Sequence, residues 1–270
     1  MAGNPLKGKF DIICYTPWSL VYIQAGDTKT LLKGRQVWCD GKSYEYRHLS
    51  FDGALEHEAA VYKKLGDHPR ITRCYGLEEV GPDVHALRLE RSVVGCIRTY
   101  IVDHPDEPPP IDIRLRMATD FAEGMNHLHE KGVTWYDAST RNALFFDDFR
   151  IKLCDFGTAV MEGTDFKQVQ SYETRYSLPL RGRVIDELPP LERELFALGS
   201  AIYELTEWKV PYHGLTEGEV DLKVYDDEQP DLTTGNPAAS IISQCWQEKY
   251  GSAGEIVRDL QNCVKSITQV

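Results

Sequence analysis

The sequence predicts an α+β protein, with its strands gathered in the N-terminal third and its helices in the remainder. Three observations carry this. Short apolar runs bounded by turn residues crowd the first third: Phe10 to Cys14, Leu20 to Gln24, Thr30 to Lys33, Thr72 to Leu77 and Ala86 to Glu90. From Asp112 onward apolar residues recur at helical spacing, first at Leu115, Ala118, Ala122, Met125 and Leu128. The chain has 270 residues, of which 42% are hydrophobic and 27% charged. That suits one large domain or a tightly coupled two-lobed one, with a sizeable core and no broad disorder.

The elements follow in order. The first two strands flank the turn Tyr15-Thr-Pro-Trp-Ser19. Leu55, Ala59, Tyr62 and Leu65 mark one helix over 54–65 among the strands. Gly95 to Val102 suits a short helix, and the breaker cluster His104 to Pro110 a surface loop. Asp112 is expected to cap the long helix and Gly132 to stop it. Ala143 to Phe146 and Ile151 to Cys154 read as two strands joined by the polar turn Asp147-Asp148. Leu195, Leu198, Ile202 and Leu205 mark a central helix, and two more helices fall near 238–247 and 252–267. About ten residues precede the first strand, so no separate regulatory domain is expected.

Composition excludes several classes. The net charge of −12 argues against nucleic acid and anionic membranes as main partners. The seven cysteines are scattered, odd in number and without a C-x-x-C pair. They read as reduced thiols of the cytoplasm or nucleus rather than a disulfide frame or zinc site. No apolar run approaches a transmembrane span, and no signal-peptide core opens the chain.

The chemistry gathers between Val133 and Gly157. Asp137, Asn142 and Asp155 each sit beside a short apolar run. A loop, a hairpin and a second loop would aim all three at one point. Converging carboxylate and amide oxygens suit Mg2+, a hard cation that prefers oxygen ligands. A further carboxylate beside the metal can hold and deprotonate a hydroxyl. The bland alternative is a hairpin carrying solvated acids. A lone Asp-Phe-Gly is weak; an Asp and an Asn five residues apart, then a hairpin, then Asp-Phe-Gly, is far more specific.

This stretch resembles the catalytic core of protein kinases, written H-R-D-L-x-x-x-N and then D-F-G. Here the motifs read Trp135-Tyr136-Asp137-Ala138-Ser139-Thr140-Arg141-Asn142 and Asp155-Phe156-Gly157. The resemblance covers about residues 10 to 265 and implies a two-lobed kinase-like fold, 1–270 forming one domain. Its β-rich N-lobe would span about 10–90, a hinge about 90–94, and its helical C-lobe about 95–268. Asp137 would be the base, Asn142 and Asp155 the Mg2+ ligands, and Arg141 a positive charge near the transferred phosphate. Lys33 would hold the ATP phosphates and Glu58, with His68-Pro-x-Ile71 following its helix, would pair with Lys33. Alone, each of these would pass for a surface charge. Thr16, Ser19, Val21, Leu31, Leu89, Glu90, Ser92 and Leu144 would complete the nucleotide site with Lys33.

The departures are equally specific. The three glycines of the phosphate-covering loop become Cys14, Thr16 and Ser19, and Pro17 offers no N–H. Leu31 replaces a small residue on which adenine packs. Trp135 can fill the volume of the missing histidine. Tyr136 cannot replace the arginine that receives an activating phosphate, so phosphorylation at Thr164, Ser171, Tyr172 or Thr174 is not expected to be an obligatory switch. Ser139 stands where the family has a lysine. Glu194 replaces an aspartate and keeps its charge. A glutamate–arginine pair of the family becomes Leu180 and Tyr250, which are expected to lie near each other. The expected function is phosphoryl transfer from ATP to a protein Ser/Thr, or Tyr, hydroxyl. The alternative is a pseudokinase, a nucleotide-binding or scaffolding module. A small-molecule kinase shares the loop Asp and Asn, but His68-Pro-x-Ile71 and Cys245-Trp246 favour a protein kinase.

Overall fold

The computed structural model describes residues 6–15, 19–45, 53–164 and 172–268. They divide into two compact units. The first runs to His68 and resumes at Thr72–Ser92; the second takes Pro69–Ile71 and the chain from Val93 onward.

The first unit is built on a five-stranded antiparallel sheet. Its strands are β1 (Phe10–Tyr15), β2 (Leu20–Gln24), β3 (Thr30–Gly34), β6 (Cys74–Gly81) and β7 (Val84–Glu90), in the order β1-β2-β3-β7-β6. Period-two alternation gives the sheet two different faces. Leu20, Tyr22, Leu32 and Ala86 share one face and form a buried cluster with Val37 and Cys39. Each such side chain, fully buried, contributes about 1.5–3 kcal/mol. Val37 and Cys39 come from β4 (Gln36–Cys39), which pairs with β5 (Lys42–Glu45). This hairpin was not expected from the sequence, although its turn, Asp40-Gly41, has both φ angles positive, at 51° and 73°. An Asp-Gly pair between short strands is a strong hairpin signal. The opposite face of the sheet carries Val21, Leu31, Lys33, Leu87 and Leu89, since Val21 pairs with Lys33 and Leu31 with Leu89. The helix α1 (Ala54–Leu65) matches its expected span and buries Leu55, Glu58, Val61, Tyr62 and Leu65.

The second unit is mostly helical. It contains α2 (Ile97–Asp103), α3 (Ile111–Glu130), the short pair β8 (Val133–Thr134) and β11 (Val160–Met161), and the hairpin β9 (Ala143–Phe145) with β10 (Ile151–Leu153). Then come α4 (Pro190–Glu207), α5 (Glu217–Tyr225), α6 (Ala239–Trp246) and α7 (Ala253–Thr268). Every residue of α4 from Arg193 to Thr206 is buried. A helix covered on all sides is the centre of its unit, and α4 packs against α3 and α6. With these seven helices among the described residues the fold is α+β, a sheet-based N-terminal region followed by a helical C-terminal one.

Two boundaries and one helix differ from expectation. The cap of α3 is Pro110, with extended ψ, and Asp112 lies in the first turn. Its carboxylate still favours the helix start through the dipole. The strand expected from Thr72 begins at Cys74; Thr72 and Arg73 belong to the first unit, while the second takes the residues before them, Pro69–Ile71. There Leu153 N donates to Arg70 O at 2.8 Å, and Ile71 bridges to Leu153. The helix α5 was also missed, although Thr216 and Glu219 form a complete capping box.

Gly124 sets how closely α3 approaches β10. A Cβ built there would meet Leu153 Cδ1 at 2.6 Å and Arg70 O at 3.3 Å. Gly124→Ala is expected to lower stability by about 1–3 kcal/mol through overpacking. A urea midpoint that does not fall would contradict this close approach.

Candidate functional site

Asp137 is aimed by the residue before it. Tyr136 adopts φ of 64°, a left-handed conformation that a tyrosine holds only when its surroundings impose it. The imposing group is Glu194, a wholly buried carboxylate near the start of α4. Its Oε1 accepts from Tyr136 N at 3.0 Å and from the Tyr172 hydroxyl at 2.7 Å. Its Oε2 accepts from Trp135 N at 3.1 Å and lies 3.1 Å from His129 Nε2. Burial pushes this carboxyl up, but His129, Tyr172 and the Trp135 N–H outweigh it and hold it below the ordinary glutamate range.

Beyond Asp137 the chain makes a tight turn capped by Ser139, whose Oγ accepts from Arg141 N at 3.3 Å. This returns Asn142 to Asp137. Asn142 Nδ2 donates to Asp137 Oδ2 and to its backbone oxygen, both at 2.9 Å. Arg141 Nη2 lies 3.5 Å from Asp137 Oδ1 and Arg141 Nε 3.2 Å from Glu173. Burial raises the Asp137 carboxyl most, Asn142 and Arg141 pull it down, and Asp155 and Glu173 push it up again, leaving it at about 7.

Asp155 is tied to the same loop. Cys154 N donates to Asn142 O at 2.9 Å, and Trp135 Nε1 donates to Asp155 O at 2.8 Å. Asp155 itself has φ of 61°. Trp135 packs between Phe121 and Phe156 with its ring tilted against both, the ring centroids 6.2 and 5.4 Å away. So Trp135 fills space, as the sequence suggested, and also fixes the Asp155 peptide, which a reading of volumes does not reveal. The second unit thus brings Asp137, Arg141, Asn142 and Asp155 into one bonded loop system.

In the first unit, Lys33 Nζ and Glu58 Oε2 form an ion pair of 2.7 Å, with side chains only 9% and 2% exposed. Val21 pairs across the sheet with Lys33, Leu31 with Leu89, and Thr30 with Glu90. Ser19 is buried just before β2. Ser92 is half-buried at the end of this unit. Leu144 belongs to the second unit, on β9, bridged to Cys96. Thr16 lies outside the described residues, as do Pro17 and Ser171.

Several supporting residues escaped the sequence reading. Glu204 is wholly buried and accepts from Thr140 Oγ1 at 2.6 Å, the Tyr176 hydroxyl at 2.8 Å and Arg98 Nη2 at 2.8 Å. Glu173 accepts from Arg98 Nη1 at 2.9 Å and the Ser139 hydroxyl at 3.2 Å. The available signal was an acid inside an otherwise apolar helical run, since such a carboxylate must be paired. Leu180 is 43% exposed, and the Tyr250 hydroxyl donates to Asp259 at 2.7 Å. The charged tie between these stretches runs through other residues: Arg183 donates to Glu248 at 2.7 and 3.0 Å, and Arg181 also pairs with Glu248. The arginines sit on the segment and the acid on the helical side, the reverse of the family polarity.

Among the described residues no helix is long and apolar enough to cross a membrane. None of the seven cysteines is in a disulfide.

A family model described as protein tyrosine and serine/threonine kinase matches residues 42–256. The serine/threonine/tyrosine-protein kinase HT1 of Arabidopsis thaliana is 28% identical over 82% of this chain and 58% of its own length. A probable LIM domain-containing serine/threonine-protein kinase of Dictyostelium discoideum is 27% identical over 89% of this chain and 37% of its own. Mitogen-activated protein kinase kinase kinase 20 of Arabidopsis thaliana is 30% identical over 58% of this chain and 49% of its own. The chain therefore spans little more than half, or less, of the length of these relatives.

Two outcomes follow from this geometry. Lys33→Ala removes the cation that faces the buried Glu58 carboxylate and is expected to cost about 3–5 kcal/mol, read by chemical denaturation. A smaller loss would mean that Glu58 finds another partner. Because the folded state holds Glu194 below its ordinary 4.5, the carboxylate contributes stability that is present above that value and lost as pH falls through the lower folded value. Denaturation between about pH 3 and pH 6 should show a shallower acid-side decline for Glu194→Gln than for the wild type. Identical slopes would remove Glu194 from the acid response.

Proposed function

Because the chain belongs to the protein tyrosine and serine/threonine kinase family, we propose that it transfers the γ-phosphoryl group of ATP to a protein hydroxyl, of serine or threonine first. The observation that carries this reading is the buried Lys33–Glu58 pair. Burying two charges usually costs more than apolar packing of the same volume returns. A use for the lysine, gripping the α- and β-phosphates, accounts for its place in the sheet.

Asp137 accepts a hydrogen bond from the acceptor hydroxyl and orients it. As that oxygen bonds to the γ-phosphorus, the bond to the β,γ-bridging oxygen breaks, ADP departs and the hydroxyl proton passes to Asp137. Arg141 stabilises negative charge on the group in transit. Asn142 holds Asp137 in register through its Nδ2, which leaves its Oδ1 as the remaining polar atom. With the Asp155 carboxylate this makes an all-oxygen donor set that suits Mg2+ beside phosphate oxygens. Bound there, Mg2+ would neutralise phosphate charge. Trp135 fixes the peptide that presents Asp155. The compartment that suits the scattered, unlinked thiols is the cytosol or nucleus.

A second reading is a nucleotide-binding or scaffolding module without transfer. Arg141 favours it, since its guanidinium is already shared between Glu173 and Asp137. One pair of measurements separates the two. Mg·ATP at 100 times its dissociation constant should stabilise the fold by about 2.7 kcal/mol. Asp137→Asn should keep that shift and lose roughly 100-fold or more in phosphate transfer to a generic protein acceptor. No shift at all would end the transfer reading. A shift without Asp137-dependent transfer would establish the module.

A further inference from the structure

Tyr172, the first described residue after Thr164, binds the same carboxylate oxygen that holds Tyr136. Its ring lies 6.2 Å from the Tyr136 ring. The Arg193 guanidinium sits 4.7 Å from the Tyr172 ring and 6.0 Å from that of Tyr136, so one cation faces both. The next residues continue the attachment, Glu173 to Arg98, Ser139 and Arg141, and Tyr176 to Glu204. The segment is thereby fastened to the catalytic loop by neutral hydroxyls, tilted ring contacts and internal ion pairs.

A carboxylate offers about four lone-pair positions. For Glu194 all four are used: two by the peptides that set Asp137, one by His129 and one by Tyr172. The strained Tyr136 peptide is held only as firmly as this carboxylate is oriented, and Tyr172 is the sole contributor from the returning segment among its recorded partners.

We propose that the Tyr172 hydroxyl is a built-in latch on Glu194, a positioning residue that keeps the Trp135–Asp137 peptides in their working conformation without a phosphate on the segment. The latch rests on the phosphoryl-transfer reading only for its effect on rate; its effect on the loop stands apart. Burial and the facing Glu194 carboxylate raise the Tyr172 pKa well above the ordinary value, which keeps the hydroxyl a donor. A phosphate placed on Tyr172 would remove that donor and set a dianion against a buried carboxylate. Modification there opens the latch rather than closing it.

The test is Tyr172→Phe, which keeps the ring under Arg193 and removes one hydrogen bond. Hydrogen exchange at the Trp135 and Tyr136 amides should quicken by roughly ten-fold, the scale of a lost bond to a charged group. If the chain transfers phosphate, kcat per folded molecule should fall by about ten-fold or more with the KM for ATP nearly unchanged. Phosphatase-treated wild type should keep its full rate. Unchanged amide exchange in Tyr172→Phe overturns the latch. So does a variant that melts lower yet keeps its kcat per folded molecule, or a wild type that loses its rate on phosphatase treatment. If the wild type transfers no phosphate while the two amides still exchange faster in the variant, the latch stands and the transfer reading fails.

Discussion

One buried carboxylate, Glu194, organises the loop that carries Asp137. It lies in a helix that is covered on every side, where an unpaired charge is prohibitively costly. The requirement that its oxygens be satisfied brings Trp135, Tyr136, His129 and Tyr172 together from separate stretches of the chain. A left-handed tyrosine peptide follows from that demand, and the direction of Asp137 follows from the peptide. Glu204, farther along the same helix, does the same for Arg98, Thr140 and Tyr176. The central helix therefore acts as the template on which the loop and its returning segment are set, with Glu173 and Arg98 connecting the two sets of bonds.

Two of the departures from the family motifs are met by contacts of this chain's own. Trp135 supplies the apolar volume of a histidine and adds a hydrogen bond to the Asp155 peptide. Where the family joins segment to helix with a glutamate and an arginine, Arg181 and Arg183 meet Glu248 with the charges exchanged. An ion pair tolerates exchange of its ends far better than loss of one end, because the survivor of a half-deleted pair stays desolvated and uncompensated. The Lys33–Glu58 pair, by contrast, retains its family polarity, and its neighbours on the sheet face are the leucines and valine that the sequence placed beside the nucleotide.

Much of the fold was legible because it depends on local periodicity. The short apolar runs behind β2, β3 and β7 and the helical spacing in α1, α3 and α4 are properties of short windows, and those elements lie where such windows place them. The β4–β5 hairpin and α5 carry local signals too, an Asp-Gly turn and a capping box. Boundaries were less legible. Pro69–Ile71 belong to the second unit, where Arg70 and Ile71 meet Leu153, and no local window contains that information.

The sequence by itself determined the α+β class and most of the order of elements, and it singled out Asp137, Asn142, Asp155 and Lys33, since these follow from residue type and near spacing. Tertiary structure decided which polar groups meet. The grip of Glu194 on Tyr136 and Tyr172, the triple attachment of Glu204, and the reversed arginine–glutamate tie each join residues tens of positions apart. Such partners are selected by the cost of burying an unsatisfied charge, and burial is a property of the folded chain rather than of any stretch of it.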